Sequence, residues 1–302
     1  MNNIKNQFSI KDLENLTGIK AHTIRIWEKR YNLLEPKRTD TNIRYYDLEN
    51  FQKLLNVSFL NNNGYKISKI SSIKDEEIIQ LVKEIAVKSD SDNHAIDGLK
   101  LAMMNFDQKQ FYNIYNTLLK EKSFSSVFYD VFIPLLSTIG ILWQTDTITP
   151  AHEHFIFSLI RQKIIANTEE VQSNENNNSK RTFVLYLPDN EIHELGLMYI
   201  NYELINKGYH TIFLGASVPI DSLKDLANYY DDITFISYFT IKPDKENLRN
   251  YLDTLNNSIL EPNNSNLWVL GHMLAQVNLE KLPNTIKTYK DIKSLTETVA
   301  NV

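Results

Sequence analysis

The sequence predicts a multidomain chain: a winged helix-turn-helix head, a four-helix bundle, and an α/β domain built on a doubly wound parallel sheet. Three observations predict it. Positions 1–75 follow a helix, turn, helix, hairpin, helix order. Positions 76–171 keep a helical period almost throughout, whereas positions 181–302 alternate short apolar runs with amphipathic stretches. Charge divides along the same line: residues 1–75 carry 13 Lys and Arg against 8 Asp and Glu, a balance of +5, and the remainder sits at −10.

The head is read from its stop and start signals. FSIKDLENLT (8–17) is a short helix with Ser9 as N-cap and Asp12 three residues on, in capping-box position. Ile10, Leu13 and Leu16 recur at helical spacing, and Gly18 ends the element. In KAHTIRIWEKRY (20–31), Ile24, Trp27 and Tyr31 share one face, which frees His22, Arg25, Lys29 and Arg30 for solvent or a partner. Pro36 closes this unit. RTDTNIRYYD reads as a small hairpin around Asp40 and Asn42, and a third helix runs from Asp47 to its stop at Gly64. A helix narrow enough for a major groove, beside a hairpin carrying Arg38 and Arg44, on the one basic part of an acidic chain, points to double-stranded DNA. His22, Thr23, Arg25, Lys29 and Arg30 are the candidates on the helix, and Arg38, Arg44 and Tyr45 those on the wing.

Beyond the head, DEEIIQLVKEIAVK, DNHAIDGLKLAMM, DQKQFYNIYNTLLKEK and SSVFYDVFIPLLSTIGILW precede a last helix opened by Thr149 as N-cap and Pro150 at its first position. Their lengths and short joints suggest an antiparallel bundle of about four helices. QSNENNNSK (172–180) reads as a linker. The domains expected are therefore 1–75, 76–171 and 181–302. In the last of these TFVLYL, YHTIFLG, DITFISYF and LWVLG are strands with helices between them, and NTIKTY then DIKSLTETVAN is a weaker final cycle. Such flavodoxin-like sheets bind ligands at the carboxyl ends of their strands. There the loop after Leu187 carries Glu191, His193 and Gly196, a Glu-x-His-x-x-Gly spacing. A neutral His can coordinate a metal, and a carboxylate two residues earlier can fix its tautomer.

Composition excludes several classes. With 302 residues, 42% hydrophobic and 23% charged, the chain has material for two or three folded domains. It has no Cys, which excludes disulfide scaffolds, thiolate metal sites and Cys nucleophiles and suits a reducing cytoplasm. No run of about 18 apolar residues suggests a membrane span, and MNNIKNQFSI does not read as a signal peptide, so a cytoplasmic protein is expected. His152-Glu153-His154 is not a metal motif, because successive helical side chains point about 100° apart.

Two resemblances sharpen this reading. TGIKAHTIRIWEKRYNLLEPKR followed by NIRYYD resembles the DNA-binding head of MerR-type transcription regulators. The stretch LPDNEIHELGLMYINYELINKGYHTIFLGASVP resembles cobalamin-binding domains. Gly196 lets a large planar ligand or its tail approach the helix start; the resemblance implies His193 as the ligand on the lower face of cobalt, Glu191 as its acidic partner, and Gly215, Ser237 and Gly271 in the loops that contact the nucleotide tail. GILWQTDTITPAHEHFIFSLI has Trp143 with Glu153 and His154 ten and eleven residues on, as in the cobalamin-dependent photoreceptor repressors of the CarH/LitR group. It implies that these three line the upper, adenosyl face, and that the cofactor is adenosylcobalamin. Three positions depart from the pattern. Gln144 stands where light-sensing members commonly have His, with His152 or His154 as possible substitutes. His272 follows Gly271 in place of a second Gly, and Ser237 is followed by Tyr238 and the bulky Phe239. The function implied is a repressor, not an enzyme, whose self-association as dimer or tetramer and operator binding respond to cobalamin and to light. The alternative is a lapsed pocket controlled by a protein partner.

Overall fold

The computed structural model describes residues 7–299 apart from 40, 87–90, 146, 173–180, 228, 231 and 277–281. The predicted linker therefore lies outside the described residues, except for Gln172 at the end of a helix. The chain forms two compact units, Met1–Leu159 and Ile160–Val302.

In the first unit, α1 (Ile10–Thr17) starts with the expected capping box. The Asp12 amide donates to Ser9 Oγ at 3.1 Å and the Ser9 amide donates to Asp12 Oδ2 at 2.7 Å. Gly18 follows at φ 75°, a left-handed conformation that glycine adopts without steric cost. After α2 (Ala21–Tyr31), β1 (Lys37–Arg38) and β2 (Arg44–Tyr45) pair antiparallel as the wing. Asp47 caps α3 (Leu48–Asn62): its Oδ1 accepts from the Asn50 amide at 3.0 Å and its Oδ2 meets Lys37 Nζ at 2.8 Å. Burial pulls this carboxyl upward, but the Lys37 ammonium and the Asn50 donors outweigh it and hold its pKa at about 2. Replacing Asp47 with Ala is expected to cost the head about 1–2 kcal/mol, read from urea unfolding. The folded pKa lies below the ordinary value of 3.8. This contribution is therefore complete above that value and disappears as pH falls from there through about 2.

The short α4 (Ile67–Ile70) and α5 (Asp75–Ala86) follow. Ile78 and Val82 of α5 pack with Leu33, Val57, Phe59, Leu60 and Ile70, so α5 buries its apolar stripe on the core shared with α3. The helices that follow are α6 (Ser91–Asn105), α7 (Gln108–Leu118), a rod from Phe124 to Gln144, and α10 (Pro150–Gln172). The rod comprises α8 (Phe124–Val127), a π-helical turn Phe128–Phe132, and α9 (Ile133–Gln144). Pro134 explains the turn, because its ring has no N–H to donate and crowds the preceding turn, and a wider turn relieves both problems. By length and composition alone Phe124–Trp143 is long and apolar enough to cross a bilayer. Here Phe128, Phe132, Leu135, Ile139 and Leu142 are buried in the protein, and Phe132 stacks with Phe111 and Tyr115, as a core helix does. Two polar contacts tie this part of the unit to α1. Buried Lys100 donates to the Leu16 carbonyl at 3.1 Å, at the helix's negative end, and Asn15 donates to Thr147 Oγ1 at 3.1 Å.

The second unit is a five-stranded parallel sheet in the order β4-β3-β5-β6-β7. The strands are β3 (Thr182–Pro188), β4 (His210–Val218), β5 (Ile233–Tyr238), β6 (Asn266–Leu270) and β7 (Ile286–Thr288). Every residue of β3 is buried, as a central parallel strand requires. One face packs Val184, Tyr186, Phe235, Phe239 and Val269 against Leu223 of α12 (Asp221–Ala227) and Leu248 and Leu252 of α13 (Leu248–Leu255). α11 (Leu195–Asn206) and α14 (Ile292–Val299) pack on each other. This is the doubly wound topology expected, and its switch point lies between β3 and β5, where neighbouring connections leave in opposite directions.

Candidate functional site

In the head, Ile24 is buried and anchors α2, while His22, Arg25, Lys29 and Arg30 are exposed and Thr23 is half-buried. The Arg30 guanidinium lies 5.4 Å from the centre of the Tyr31 ring. Glu28 fixes the wing to this helix. Its Oε2 accepts from the hydroxyl of fully buried Tyr46 at 2.7 Å, and its Oε1 lies 3.6 Å from Arg44 Nη1. Burial, and then the bond to Glu28, push the Tyr46 hydroxyl far above its ordinary pKa, so it stays a donor. Arg38 donates to the carbonyl and side chain of Asn42 at 3.2 and 2.8 Å and so shapes the tip of the wing. Tyr45 is half-buried opposite Lys37. Glu28 was not among the residues singled out from sequence, although it lies inside the Trp-Glu-x-Arg-Tyr segment.

Around the bundle, Trp143 is 46% exposed near the end of α9. On α10, Glu153 is half-buried and His154 exposed. His152 behaves differently. It is fully buried, stacked on Phe106 with centroids 4.7 Å apart, and its Nδ1 accepts from the Thr149 amide at 3.2 Å. This is the back-bond of a capping box, made by an imidazole where Glu or Gln usually serves. Its Nδ1 thereby helps to start α10.

At the switch point, Glu191 organises two loops. It is fully buried. Its Oε1 accepts from the amides of Ile192 at 2.9 Å and His193 at 3.0 Å, and from His193 Nδ1 at 2.6 Å. Its Oε2 accepts from the amides of Thr240, Ile241 and Lys242 at 3.1, 2.7 and 2.9 Å. The loop after β3 is thus stapled to the loop after β5, and the Ser217 amide of β4 joins them by donating to the Glu191 carbonyl at 3.1 Å. Burial alone raises this carboxyl; the His193 ring and the amides of Ile241, Lys242 and His193 more than reverse that and hold it at about 2. An ionised Glu191 requires Nδ1 of His193 to carry the proton, which leaves Nε2 as the nitrogen with the electron pair. In the two loops joined by these bonds, Ile192 is 66% exposed and Ile241 49% exposed. No pattern in the sequence points to either isoleucine.

The remaining candidates are occupied from within the protein. Gly196 begins α11 under the Tyr238 ring: a Cβ there would fall 2.8 Å from Cε2. Gly215, at φ 81°, sits where the β3–β4 register shifts. The Ser237 hydroxyl donates to the Tyr186 carbonyl at 2.8 Å in the core. Gly271, at φ 123°, has no room for a Cβ because the Phe239 backbone lies against it. His272 is exposed. The imidazole–carboxylate pair has the donor chemistry to hold a corrinoid's cobalt, while the bare face of Gly196, three residues on, is covered by the Tyr238 ring. Among the described residues, no group of three or more His, Cys, Asp or Glu forms an all-protein metal site.

Residues 8–77 match the MerR HTH family of regulatory proteins, and residues 95–166 match the B12 binding domain. The chain is 27% identical over 214 residues to the HTH-type transcriptional repressor CarH of Myxococcus xanthus, covering 69% of this chain and 70% of that protein. CarA of the same organism is 24% identical over 220 residues, covering 71% and 70%. The monomethylamine corrinoid protein of Methanosarcina barkeri shares the fold over 70% of this chain and 99% of its own, with a TM-score of 0.57 at 13% identity. With a basic winged head at one end and a B12 binding domain behind it, the chain is a DNA-binding transcription regulator of the CarH and CarA type.

Proposed function

We propose that this regulator is a repressor whose operator binding responds to adenosylcobalamin. The observation that carries the proposal is the His193–Glu191 pair at the switch point, with Nδ1 2.6 Å from a fully buried carboxylate. Bound adenosylcobalamin would supply a light-sensitive cobalt–carbon bond. His193 would hold the cobalt through Nε2, and Glu191 would set the tautomer and direction of the ring. Trp143, Glu153 and His154 are the residues the bundle offers to the adenosyl side. The loop between Trp143 and Glu153 holds Thr147, which bonds Asn15 of the head, so a shift of that loop reaches α1 directly. A winged head reads one half-site, so operator binding calls for a homodimer or homotetramer. Cobalamin moves that equilibrium only through a difference in affinity between assembly states. The protein acts as a cytoplasmic regulator and not as an enzyme.

Substituting His193→Ala is expected to weaken adenosylcobalamin binding by about 100-fold and to abolish the red colour retained after gel filtration. Retention of wild-type colour and spectrum would exclude His193 as the ligand. Operator affinity and assembly, measured with and without adenosylcobalamin in darkness and after green light, test the response. Identical values in every condition would favour control by a protein partner, the reading that the covering of Gly196 by Tyr238 supports.

A further inference from the structure

We infer that Tyr238 selects among corrinoids by their lower tail, so that this chain accepts a corrinoid without a nucleotide tail in preference to cobalamin. The inference rests on the reading of His193 as cobalt ligand. Cobalamin brings its own lower base on a tethered nucleotide. His193 can take the lower position only when that base leaves cobalt, and the displaced tail must then be housed beside the imidazole. In an open parallel sheet the space available is the crevice at the carboxyl ends of the strands flanking the switch point, here β3 and β5.

Three features of that crevice are closed. The bare face of Gly196 is covered by the Tyr238 ring, with Cδ2 and Cε2 3.0 and 2.8 Å from where a Cβ would stand. The Ser237 hydroxyl is committed to the Tyr186 carbonyl. Phe239 is wholly buried and its backbone fills the space at Gly271. Phe239 belongs to the sheet core with Tyr186, Leu248 and Val269, so it cannot leave without unpacking that core. Tyr238 is the last residue of β5 and is only half-buried, so its ring is the part that can swing out. Admitting a tail costs the contact between Tyr238 and α11. A tail-less corrinoid offers an open lower position to Nε2 and leaves Tyr238 in place. The ring thus acts as a steric element against one ligand, without any added attraction for the other.

Adenosylcobinamide and adenosylcobalamin serve as probes, titrated into the full-length protein by calorimetry. Reduced cob(II) complexes are read by electron paramagnetic resonance with ¹⁵N-labelled histidine. Wild type is expected to bind adenosylcobinamide about tenfold more tightly. Tyr238→Leu should bring the two affinities together by improving cobalamin, and Tyr238→Phe, which keeps the ring, should behave as wild type. Melting curves establish that both variants are folded. Equal affinities in wild type, with the imidazole signal present for both probes, overturn the role of Tyr238 and leave His193 as ligand. Binding of neither probe, or no nitrogen coupling from histidine, overturns the reading of His193 and this inference with it.

Discussion

Replacing Glu191 with Ala is expected to lower the stability of the cofactor-free protein by about 3–5 kcal/mol. The reason is geometric. One buried carboxylate accepts the amides of Ile192, His193, Thr240, Ile241 and Lys242 together with the His193 ring. Deletion removes the acceptor and leaves every donor in place. Each buried N–H without a partner costs about 1–3 kcal/mol, reduced where water reaches the exposed rims at Ile192 and Ile241. Glu191→Asp keeps the charge but is one methylene short of spanning both loops, so an intermediate loss of about 1–2 kcal/mol is expected. Urea unfolding of the apoprotein measures both variants. A change within about 0.5 kcal/mol for Glu191→Ala would show that the two loops hold their positions without the staple. The effect precedes any ligand, which separates this prediction from that for His193→Ala.

The elements legible in the sequence were those whose cause is local. Ser9 and Asp12 lie three residues apart, and the capping box followed. Alternating strand and helix periods announced a parallel sheet, and the Glu-x-His spacing already contained the 2.6 Å bond between Glu191 and His193. What escaped depends on contacts across long stretches of chain. Glu28 and Tyr46 are 18 residues apart, and Glu191 meets Thr240, Ile241 and Lys242 about 50 residues on. No periodicity encodes such pairs. Helical period alone likewise grouped α5 with the bundle, because an amphipathic stripe does not say which partner it faces; Ile78 and Val82 face the α3 core. Thr149 and Pro150 correctly opened α10, but the use of His152 as the box partner could be seen only once its ring was placed.

Removing two charges from the recognition helix is expected to have the largest effect on DNA. Arg25 and Lys29 are one turn apart, both exposed, on the side of α2 away from buried Ile24. Each neutralised phosphate releases condensed counterion, and the logarithm of affinity falls with that of salt by about 0.9 per contact. Arg25→Ala combined with Lys29→Ala should therefore reduce operator affinity by about 100-fold near 0.1 M salt and lower the salt slope by about 2. The long acidic part of the chain strengthens the expectation, since the −10 beyond residue 75 repels DNA and leaves the head's +5 as the whole attraction. Glu28→Gln separates charge from placement. It adds no basic group and removes a negative one, so a purely electrostatic head would bind more tightly. It also weakens the clasp on Tyr46 and Arg44, so a head that depends on a fixed wing would bind operator more weakly with little change in salt slope. The second result is expected, because a wing must be positioned to read its half-site, and net charge alone cannot position it.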